Sequence, residues 1–341
     1  MNLAELHKIA CAMVTPGKGL LAADESSGTI KKRFDAVGIE STPESRRDYR
    51  ELLFRSSEAM SKYVSGVILY DETIRQKAKD GTALVALIQQ SGAIPGIKVD
   101  KGSKPLAACP SEQVTEGLDG LRERLAEYRE LGARFAKWRA VIDIGPGIPS
   151  HTCVVANAHA LGRYAALCQE QDIVPIVEPE VLMDGAHDMD RCYQVTEFVL
   201  KETFEQLYEQ RIALEGMVLK PNLVVPGKKS GQRASVEEVA ERTLKLLKNC
   251  VPPAVPGIAF LSGGQSDEEA TAHLDALNRL GELPWHLTFS YGRALQAAPQ
   301  KAWSGKSENV AAAQRAFTHR ARMNALAALG QWKADLERRA A

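Results

Sequence analysis

The sequence predicts a single-domain α/β fold of the (β/α)8, or TIM-barrel, type. Three observations lead to this prediction. Eight apolar segments of strand length recur along the chain, helical segments alternate with them, and most of the apolar segments end on a charged or hydroxyl side chain. Alternating strands and helices favour a parallel sheet, and eight such units are the number that closes a barrel. No internal repeat or linker divides the 341 residues, so residues 1–341 are treated as one domain.

The individual elements follow from hydrophobic periodicity and from turn and capping residues. Strands are predicted at residues 19–23, 65–70, 94–99, 134–144, 173–177, 217–219, 258–261 and 287–290. Helices are predicted at about 44–60, 82–90, 117–131, 151–170, 187–210, 235–249 and 266–280. An N-terminal helix at about 2–15 precedes the barrel, a helical region at about 307–338 follows it, and residues 102–115 are expected to be irregular.

Composition argues against several kinds of partner. The chain has 43 basic and 43 acidic residues and no long run of one sign, so neither nucleic acid nor an anionic membrane is an expected partner. The N-terminus lacks the apolar region of a signal peptide or a transmembrane segment, and the six cysteines are widely spaced, as in reduced proteins. We therefore expect a cytoplasmic protein.

The histidines do not predict a metal site. None of the seven belongs to an H-E-x-x-H motif or a His/Cys cluster. His187, Asp188 and Asp190 are close in sequence, but their pattern is that of an acidic helix start. We expect no metal and no other cofactor.

Polar side chains at the strand ends predict one shared site. In a (β/α)8 barrel the carboxyl ends of the strands face a common pocket, and ordinary buried strands do not repeatedly end in charge. The side chains concerned are Asp24, Lys98, Lys137 with Arg139, Glu178, Lys220, Ser262 and Arg293.

Lys220 ends the sixth predicted strand, which Pro221 stops because proline has no N–H for a sheet ladder. One interpretation is a lysine whose ammonium reaches water from the strand end. The other is a desolvated amine that attacks a carbonyl to form a Schiff base. Lys137 on the fourth strand favours the second interpretation, because alternate strands share layers and two ammonium groups in a dry pocket lower a lysine pKa.

Two carboxylates complete the candidate catalytic set. Glu178 ends the strand between the two lysine-bearing strands, so it can transfer protons; the alternative is a plain counter-ion for a lysine. Asp24 ends the first strand and can orient a lysine or act as a base, with a helix N-cap as the alternative.

The turns after the last two strands are candidates for binding phosphate. Ser262-Gly263-Gly264 follows strand seven and Gly292-Arg293 follows strand eight. Loops at these positions often hold phosphate with backbone N–H groups at a helix N-terminus, which favours a phosphate site; the alternative is that these are turn glycines only.

A second candidate anion site combines Arg33, Lys98 and Thr29 on the opposite side of the mouth. Solvated surface charge remains the alternative for Arg33 and Lys98, because such residues are usually exposed.

Seven segments together resemble the class I fructose-1,6-bisphosphate aldolase family. They are LAADES at 21–26, GIKVDKG at 96–102, FAKWR at 135–139, VEPE at 177–180, LEGMVLKPN at 214–222, FLSGGQ at 260–265 and FSYGRALQ at 289–296. The resemblance extends from about residue 16 to about residue 325, and the motifs are highly specific in combination.

The resemblance implies a function and a set of roles. It implies reversible cleavage of fructose 1,6-bisphosphate to dihydroxyacetone phosphate and glyceraldehyde 3-phosphate, as in glycolysis and gluconeogenesis, without a metal and in a homotetramer. Lys220 would form the iminium with the ketone carbon, Glu178 would exchange protons during dehydration and C–C cleavage, and Lys137 and Asp24 would assist electrostatically. The residues implied in substrate and phosphate binding are Ser262, Gly263, Gly264, Ser290 and Arg293 on the dihydroxyacetone side, Arg33 and Lys98 on the other, and Arg139.

Two departures and two alternatives accompany the resemblance. Thr29 keeps a hydroxyl where the family often has a serine, and no tyrosine follows Tyr291, whereas animal and plant members end in one that is linked to enamine protonation. We therefore expect that step to be slow or to use Glu178, Tyr291 or water. The alternatives are a Schiff-base aldolase for another ketose phosphate and a non-catalytic interaction protein, which would be expected to lose Lys220 or Glu178.

Overall fold

The computed structural model describes residues 1–281 and 283–339. Its strands are β1 (Gly19–Ala23), β2 (Val64–Leu69), β3 (Ile94–Lys98), β4 (Ser103–Pro105), β5 (Gln113–Thr115), β6 (Phe135–Ile142), β7 (Val174–Val181), β8 (Val218–Leu219), β9 (Gly257–Phe260) and β10 (His286–Tyr291).

The first helices are α1 (Leu3–Met13), α2 (Ser27–Asp35), α3 (Pro43–Phe54), α4 (Ser57–Lys62), α5 (Asp71–Arg75), α6 (Leu84–Gln90) and α7 (Leu121–Glu130). They are followed by α8 (His151–Glu170), α9 (Met189–Glu209), α10 (Val236–Cys250), α11 (Asp267–Arg279), α12 (Arg293–Trp303) and α13 (Val310–Ala327). Short 3-10 segments occupy Leu214–Gly216, Ser307–Asn309 and Ala334–Arg339.

Eight parallel strands close into a barrel in the order β1-β10-β9-β8-β7-β6-β3-β2. Every neighbouring pair in that ring is parallel, and helices connect the strands on the outside. The predicted (β/α)8 barrel is therefore confirmed. All the strand ends that carry the candidate site residues meet at one face.

The barrel interior and the N-terminal helix share one apolar cluster. Inward-facing residues of the strands, among them Leu20, Ile68 and Phe135, pack with Leu6 and Met13 of α1. Helix α1 thus covers the amino end of the barrel, opposite the mouth that holds the charged residues. Its N-cap is Asn2, whose side chain accepts a hydrogen bond from the Glu5 backbone N–H.

The second half of the barrel differs from the sequence prediction in strand length. Strand β7 runs to Val181 rather than ending at residue 177, because β6 is long enough to pair with it, with Ala140 opposite Pro179 and Ile142 opposite Val181. Glu178 therefore lies within a strand. Strand β8 is correspondingly short, since the residues before it form the 3-10 turn Leu214–Gly216.

Other segments also differ from expectation. Residues 102–115, expected to be irregular, contain an antiparallel hairpin in which β4 pairs with β5. The helix predicted at 44–60 is two helices, because the chain turns at Arg55 and the Ser56 hydroxyl donates back to the Leu52 carbonyl. Helices α5 and α12 were not predicted.

Ala340 and Ala341, the last two residues of the sequence, lie outside the described residues. Within the described ranges, no helix combines the length and apolar character needed to cross a membrane.

Candidate active site

Four charged side chains form an alternating chain across the barrel mouth. The ammonium of Lys137 lies 3.0 Å from Asp24 Oδ2 and 3.3 Å from Glu178 Oε2. The other oxygen of Glu178, Oε1, lies 3.1 Å from Lys220 Nζ. The structure thus brings together the four residues that the sequence predicts as a catalytic set, in the order Asp24–Lys137–Glu178–Lys220.

Strand alternation aims these side chains inward. Trp138, next to Lys137 on β6, points outward and packs against Tyr164 of α8, with ring centroids 5.6 Å apart. Lys137 therefore faces the interior, since successive side chains of a strand point to opposite faces. Lys220 follows β8, and its backbone N–H donates to the Val177 carbonyl at 2.8 Å, which fixes it beside β7.

The burial of Lys220 and the ion pair of Asp24 decide between the alternative interpretations of these two residues. The Lys220 side chain is only 5% exposed, so its ammonium does not reach bulk water. Asp24 pairs with Lys137, whereas the N-cap of α2 is Ser26, whose hydroxyl accepts from the Thr29 backbone N–H. Neither the exposed-lysine interpretation nor the helix-cap interpretation describes these two residues.

The electrostatics of Lys137 differ from the sequence expectation. Two facing ammonium groups were expected to lower a lysine pKa, but Glu178 lies between the two lysines. Burial works against the charge on Lys137, yet the carboxylates of Asp24 and Glu178 outweigh burial and raise the pKa of Lys137. Burial similarly opposes ionisation of Asp24, and the nearby Lys137 and Lys220 hold its pKa well below the usual range.

The candidate phosphate turn follows β9 and faces the end of β10. Arg293 donates to the carbonyls of Gly263 and Gln265, at 2.8 and 3.1 Å, so its guanidinium lies against the turn. Ser262 is buried, and the Ser290 hydroxyl is buried without a hydrogen-bond partner among the described residues. A buried hydroxyl without a hydrogen-bond partner destabilises the folded protein, and a ligand that hydrogen-bonds to it removes that cost.

The second expected anion site is divided. A Cβ at Gly292 would lie 3.7 Å from Arg33 Nη2, so Arg33 stands near the β10 end of the mouth. Lys98 instead lies 3.4 Å from Asp100 Oδ1. Thr29 is exposed at the start of α2.

Sequence reasoning missed the carboxylate that holds Arg33. Glu25 is buried and forms ion pairs with both Arg33 and Arg50, and it accepts from Gln296 Nε2 at 2.9 Å. In the sequence, Glu25 is only the residue that follows Asp24 after the first strand. Its partners lie on α2, α3 and α12, so no local pattern could have identified the network.

Arg139 is placed at the rim by acidic neighbours. Its guanidinium pairs with Glu180, and its backbone N–H donates to Asp100 Oδ2 at 3.3 Å. The arginine side chain is 41% exposed at the mouth, which leaves it available to a ligand.

Tyr291 does not face the site. It is fully buried, and its hydroxyl donates to the Ala270 carbonyl of α11 at 2.9 Å. Burial also raises the pKa of this phenol. The expectation that Tyr291 could protonate an enamine at Lys220 is therefore wrong, because Tyr291 points outward from the barrel while Ser290 points in.

The described residues contain no group of three or more histidine, cysteine, aspartate or glutamate side chains placed to hold a metal ion. Asp188 caps helix α9, accepting from the Arg191 backbone N–H at 2.7 Å, as the acidic helix start predicted. His187 is buried beside it, and burial lowers its pKa.

The fold and the site together define a barrel enzyme with a buried amine joined to carboxylates, a class that includes the Schiff-base lyases. The family model described as fructose-bisphosphate aldolase class-I matches residues 5–341, and the chain belongs to that family.

Individual relatives cover nearly the whole chain. A probable fructose-bisphosphate aldolase class 1 of Xanthomonas campestris is 60% identical over 98% of this chain and all of its own length. Fructose-bisphosphate aldolase 4, cytosolic, of Arabidopsis thaliana is 52% identical over 98% of this chain and 85% of its own length. The solved fructose-bisphosphate aldolase of Plasmodium falciparum superposes with a TM-score of 0.96, at 48% identity, over 97% of this chain and 96% of its own.

Proposed function

We propose that this protein catalyses the reversible aldol cleavage of fructose 1,6-bisphosphate to dihydroxyacetone phosphate and glyceraldehyde 3-phosphate through a Schiff base on Lys220. The observation that carries the proposal is the buried contact of 3.1 Å between Lys220 Nζ and Glu178 Oε1 at the barrel mouth. This contact gives the amine a proton acceptor, and general acid–base catalysis requires that reach.

The other buried charges support the proposed chemistry. Glu178 takes the proton that frees the Lys220 amine, returns one as the carbinolamine loses water, and accepts the hydroxyl proton as the C–C bond breaks. Lys137 stays charged between Asp24 and Glu178, so it stabilises the negative charge that develops on oxygen.

The phosphates are proposed to bind on two sides of this amine. Ser262, Gly263, Gly264, Ser290 and Arg293 hold the phosphate of the dihydroxyacetone half, and the partnerless hydroxyl of Ser290 supports that assignment. Arg33, Lys98 and Arg139 are proposed to serve the other half.

The decisive experiment is borohydride trapping with dihydroxyacetone phosphate, followed by peptide mapping. The substrate's mass should appear on the peptide that contains Lys220, and Lys220→Ala should trap none. Trapping at another lysine would contradict the proposal. If another ketose phosphate is cleaved in preference to fructose 1,6-bisphosphate, the proposed substrate is wrong, but the proposed Schiff base on Lys220 is not contradicted.

The remaining properties are proposed for the whole chain, 1–341, as one aldolase-type domain that includes its N-terminal helix and C-terminal helical region. Catalysis needs no metal or other cofactor, so activity should survive prolonged treatment with EDTA.

The protein acts in the cytoplasm, consistent with six free cysteines, and binds neither nucleic acid nor membranes. It is proposed to assemble as a homotetramer, as the family resemblance implies.

A further inference from the structure

Two loops at the barrel mouth are joined by backbone hydrogen bonds next to the candidate phosphate turn. One follows β7 and the other follows β8. The N–H groups of Lys228 and Lys229 donate to the carbonyls of Met183 and Gly185 at 2.8 and 2.9 Å, and the Gly227 N–H donates to the His187 carbonyl at 2.8 Å. These bonds fix the backbone from which the Lys228 side chain starts.

The Lys228 ammonium lies against Gly264 of the turn. A Cβ built on Gly264 would collide with the end of the Lys228 side chain, so the lysine occupies the space that any other residue at 264 would need. The Gly264 N–H, meanwhile, points at Met183 Sδ, 3.1 Å away. A thioether is a weak acceptor, so this amide is not committed to a strong partner.

Two cations therefore flank one short turn. Arg293 contacts it through the carbonyls of Gly263 and Gln265, and Lys228 lies over Gly264. A phosphate that accepts from the backbone N–H groups of this turn would meet positive charge from both neighbours.

The ion pair between Lys228 and Asp184 is weak enough for a ligand to replace Asp184. Its ammonium lies 3.1 Å from Asp184 Oδ1, and the two side chains are 42% and 62% exposed. Exposed pairs of this kind contribute little, so a doubly charged phosphate can compete with Asp184 for the ammonium.

We propose that Lys228 is a further phosphate-binding residue of this site: its ammonium joins Arg293 in holding the phosphate monoester at the Ser262–Gly264 turn, in competition with Asp184. The inference rests on the proposed function for the identity of the substrate, but phosphate binding itself is measurable without turnover.

The test compares Lys228→Met, Asp184→Asn and the matched control Lys229→Met. Lys229 is the adjacent exposed lysine, and no partner of its ammonium is found among the described residues. The readouts are the KM and kcat for fructose 1,6-bisphosphate and the Kd of inorganic phosphate by calorimetry. Lys228→Met should raise KM and Kd about three- to tenfold with kcat nearly unchanged, as for a partly exposed charge contact.

The sign of the Asp184→Asn effect separates binding from structure. If Lys228 binds phosphate, removing its competitor lowers both KM and Kd, Lys229→Met changes neither, and Lys228→Arg retains most of the affinity. If the lysine only braces the loop, Lys228→Met and Asp184→Asn weaken binding alike, and the inference is overturned. It also fails if Lys228→Met leaves the phosphate Kd unchanged.

A double-mutant cycle checks proximity. Gly264→Ala should displace the Lys228 ammonium, so it should weaken phosphate binding less in the Lys228→Met background than in the parent; fully additive effects would count against the inference. If the parent protein traps dihydroxyacetone phosphate at Lys220 while these variants bind phosphate normally, only this inference fails. If trapping fails but the phosphate effects appear, only the proposed function fails.

Discussion

At the scale of single residues, the candidate site is organised by alternation of charge. Each buried charge touches an opposite one, from Asp24 through Lys137 and Glu178 to Lys220. Buried ions are tolerated only when they are paired, because removing one partner leaves the other uncompensated. Lys137 and Glu178 each have two partners of opposite charge, so the loss of either would disturb the chain more than the loss of Asp24 or Lys220.

We therefore expect Lys137→Met to reduce both activity and stability. With the ammonium gone, Asp24 and Glu178 lose their shared cation, and kcat should fall at least about 100-fold, the usual scale for a preorganised charge. The free energy of unfolding should fall by about 3–5 kcal/mol, as for a broken buried pair. Steady-state kinetics and urea unfolding at pH 7 measure the two effects.

Lys98→Met is the control for that variant. Lys98 has one carboxylate contact, to Asp100 at 3.4 Å, and its side chain is 18% exposed. Its substitution should raise KM more than it lowers kcat and should cost less stability than Lys137→Met. Equal losses of activity and stability in the two variants would show that the paired charges around Lys137 contribute no more than the single contact of Lys98.

At the scale of elements, the C-terminal segment is anchored by one carboxylate. Glu337 of the segment Ala334–Arg339 accepts from Arg320 Nη1 at 2.6 Å and Trp332 Nε1 at 3.0 Å, and its Oε2 lies 3.0 Å from His319 Nε2. Burial opposes the charge on Glu337, but Arg320 and the other donors outweigh burial and lower its pKa. This ionised side chain thus links the segment to α13.

Glu337→Gln should lower the free energy of unfolding by about 1–3 kcal/mol at pH 7, because a charged acceptor among several donors becomes a neutral amide. The folded pKa lies below that of the unfolded chain, so the stabilisation is present above the unfolded value of about 4.3 and is lost as pH falls through the folded value. The stability difference between parent and variant should therefore be present at neutral pH and shrink as the pH falls below the unfolded value.

Glu308→Gln provides the comparison for this prediction. Glu308 is exposed in the 3-10 turn before α13 and contacts only Ser307 at 3.4 Å among the described residues. It should change stability by less than about 0.5 kcal/mol at any pH. A Glu337 effect of the same size at pH 3 and pH 7 would show that packing, rather than charge, attaches the segment.

At the scale of the whole molecule, the closed barrel depends on glycines that make room for large side chains. The Phe135 ring fills the interior against Gly96 and Gly66, where added Cβ atoms would lie only 2.2 and 2.9 Å from ring carbons. On the outer face of the barrel, Gly19 likewise makes room for the ring of Phe289. The strands of the barrel therefore close around interior side chains that pack against residues of other strands.

Gly96→Ala should destabilise the protein by about 1–3 kcal/mol, because the new methyl overpacks the barrel interior against Phe135. Adding Phe135→Leu should recover part of the loss by making space. The measurement is denaturant unfolding of the single and double variants, with activity per folded molecule recorded alongside.

Gly28→Ala is the matched glycine control. Gly28 lies in helix α2 with no atom within 4 Å of an added Cβ, so the substitution should be neutral or stabilising by up to about 1 kcal/mol. If Gly96→Ala is as stable as the parent, the barrel interior can accommodate the added methyl beside Phe135. The prediction of overpacking is then wrong.

The sequence by itself determined the barrel and most element boundaries. Helix α8 begins and ends where the pattern predicted, at His151 and Glu170, and Ser266 caps α11 with Glu269 in a full capping box. These features depend on residues a few positions apart, which is why a local pattern contains them. The motifs around Lys220 and Glu178 likewise pointed to one mouth because the barrel rule carries every strand end there.

Only the tertiary structure decided how those residues are paired. Glu178 lies between Lys137 and Lys220, Glu25 holds Arg33 beside Gly292, and Lys228 lies over Gly264. Apart from Glu25 with Arg33, these contacts join residues on different strands or loops, at distances along the chain where periodicity carries no information. Register, strand length and the path of each loop determine them, and those follow from the packing of the closed barrel as a whole.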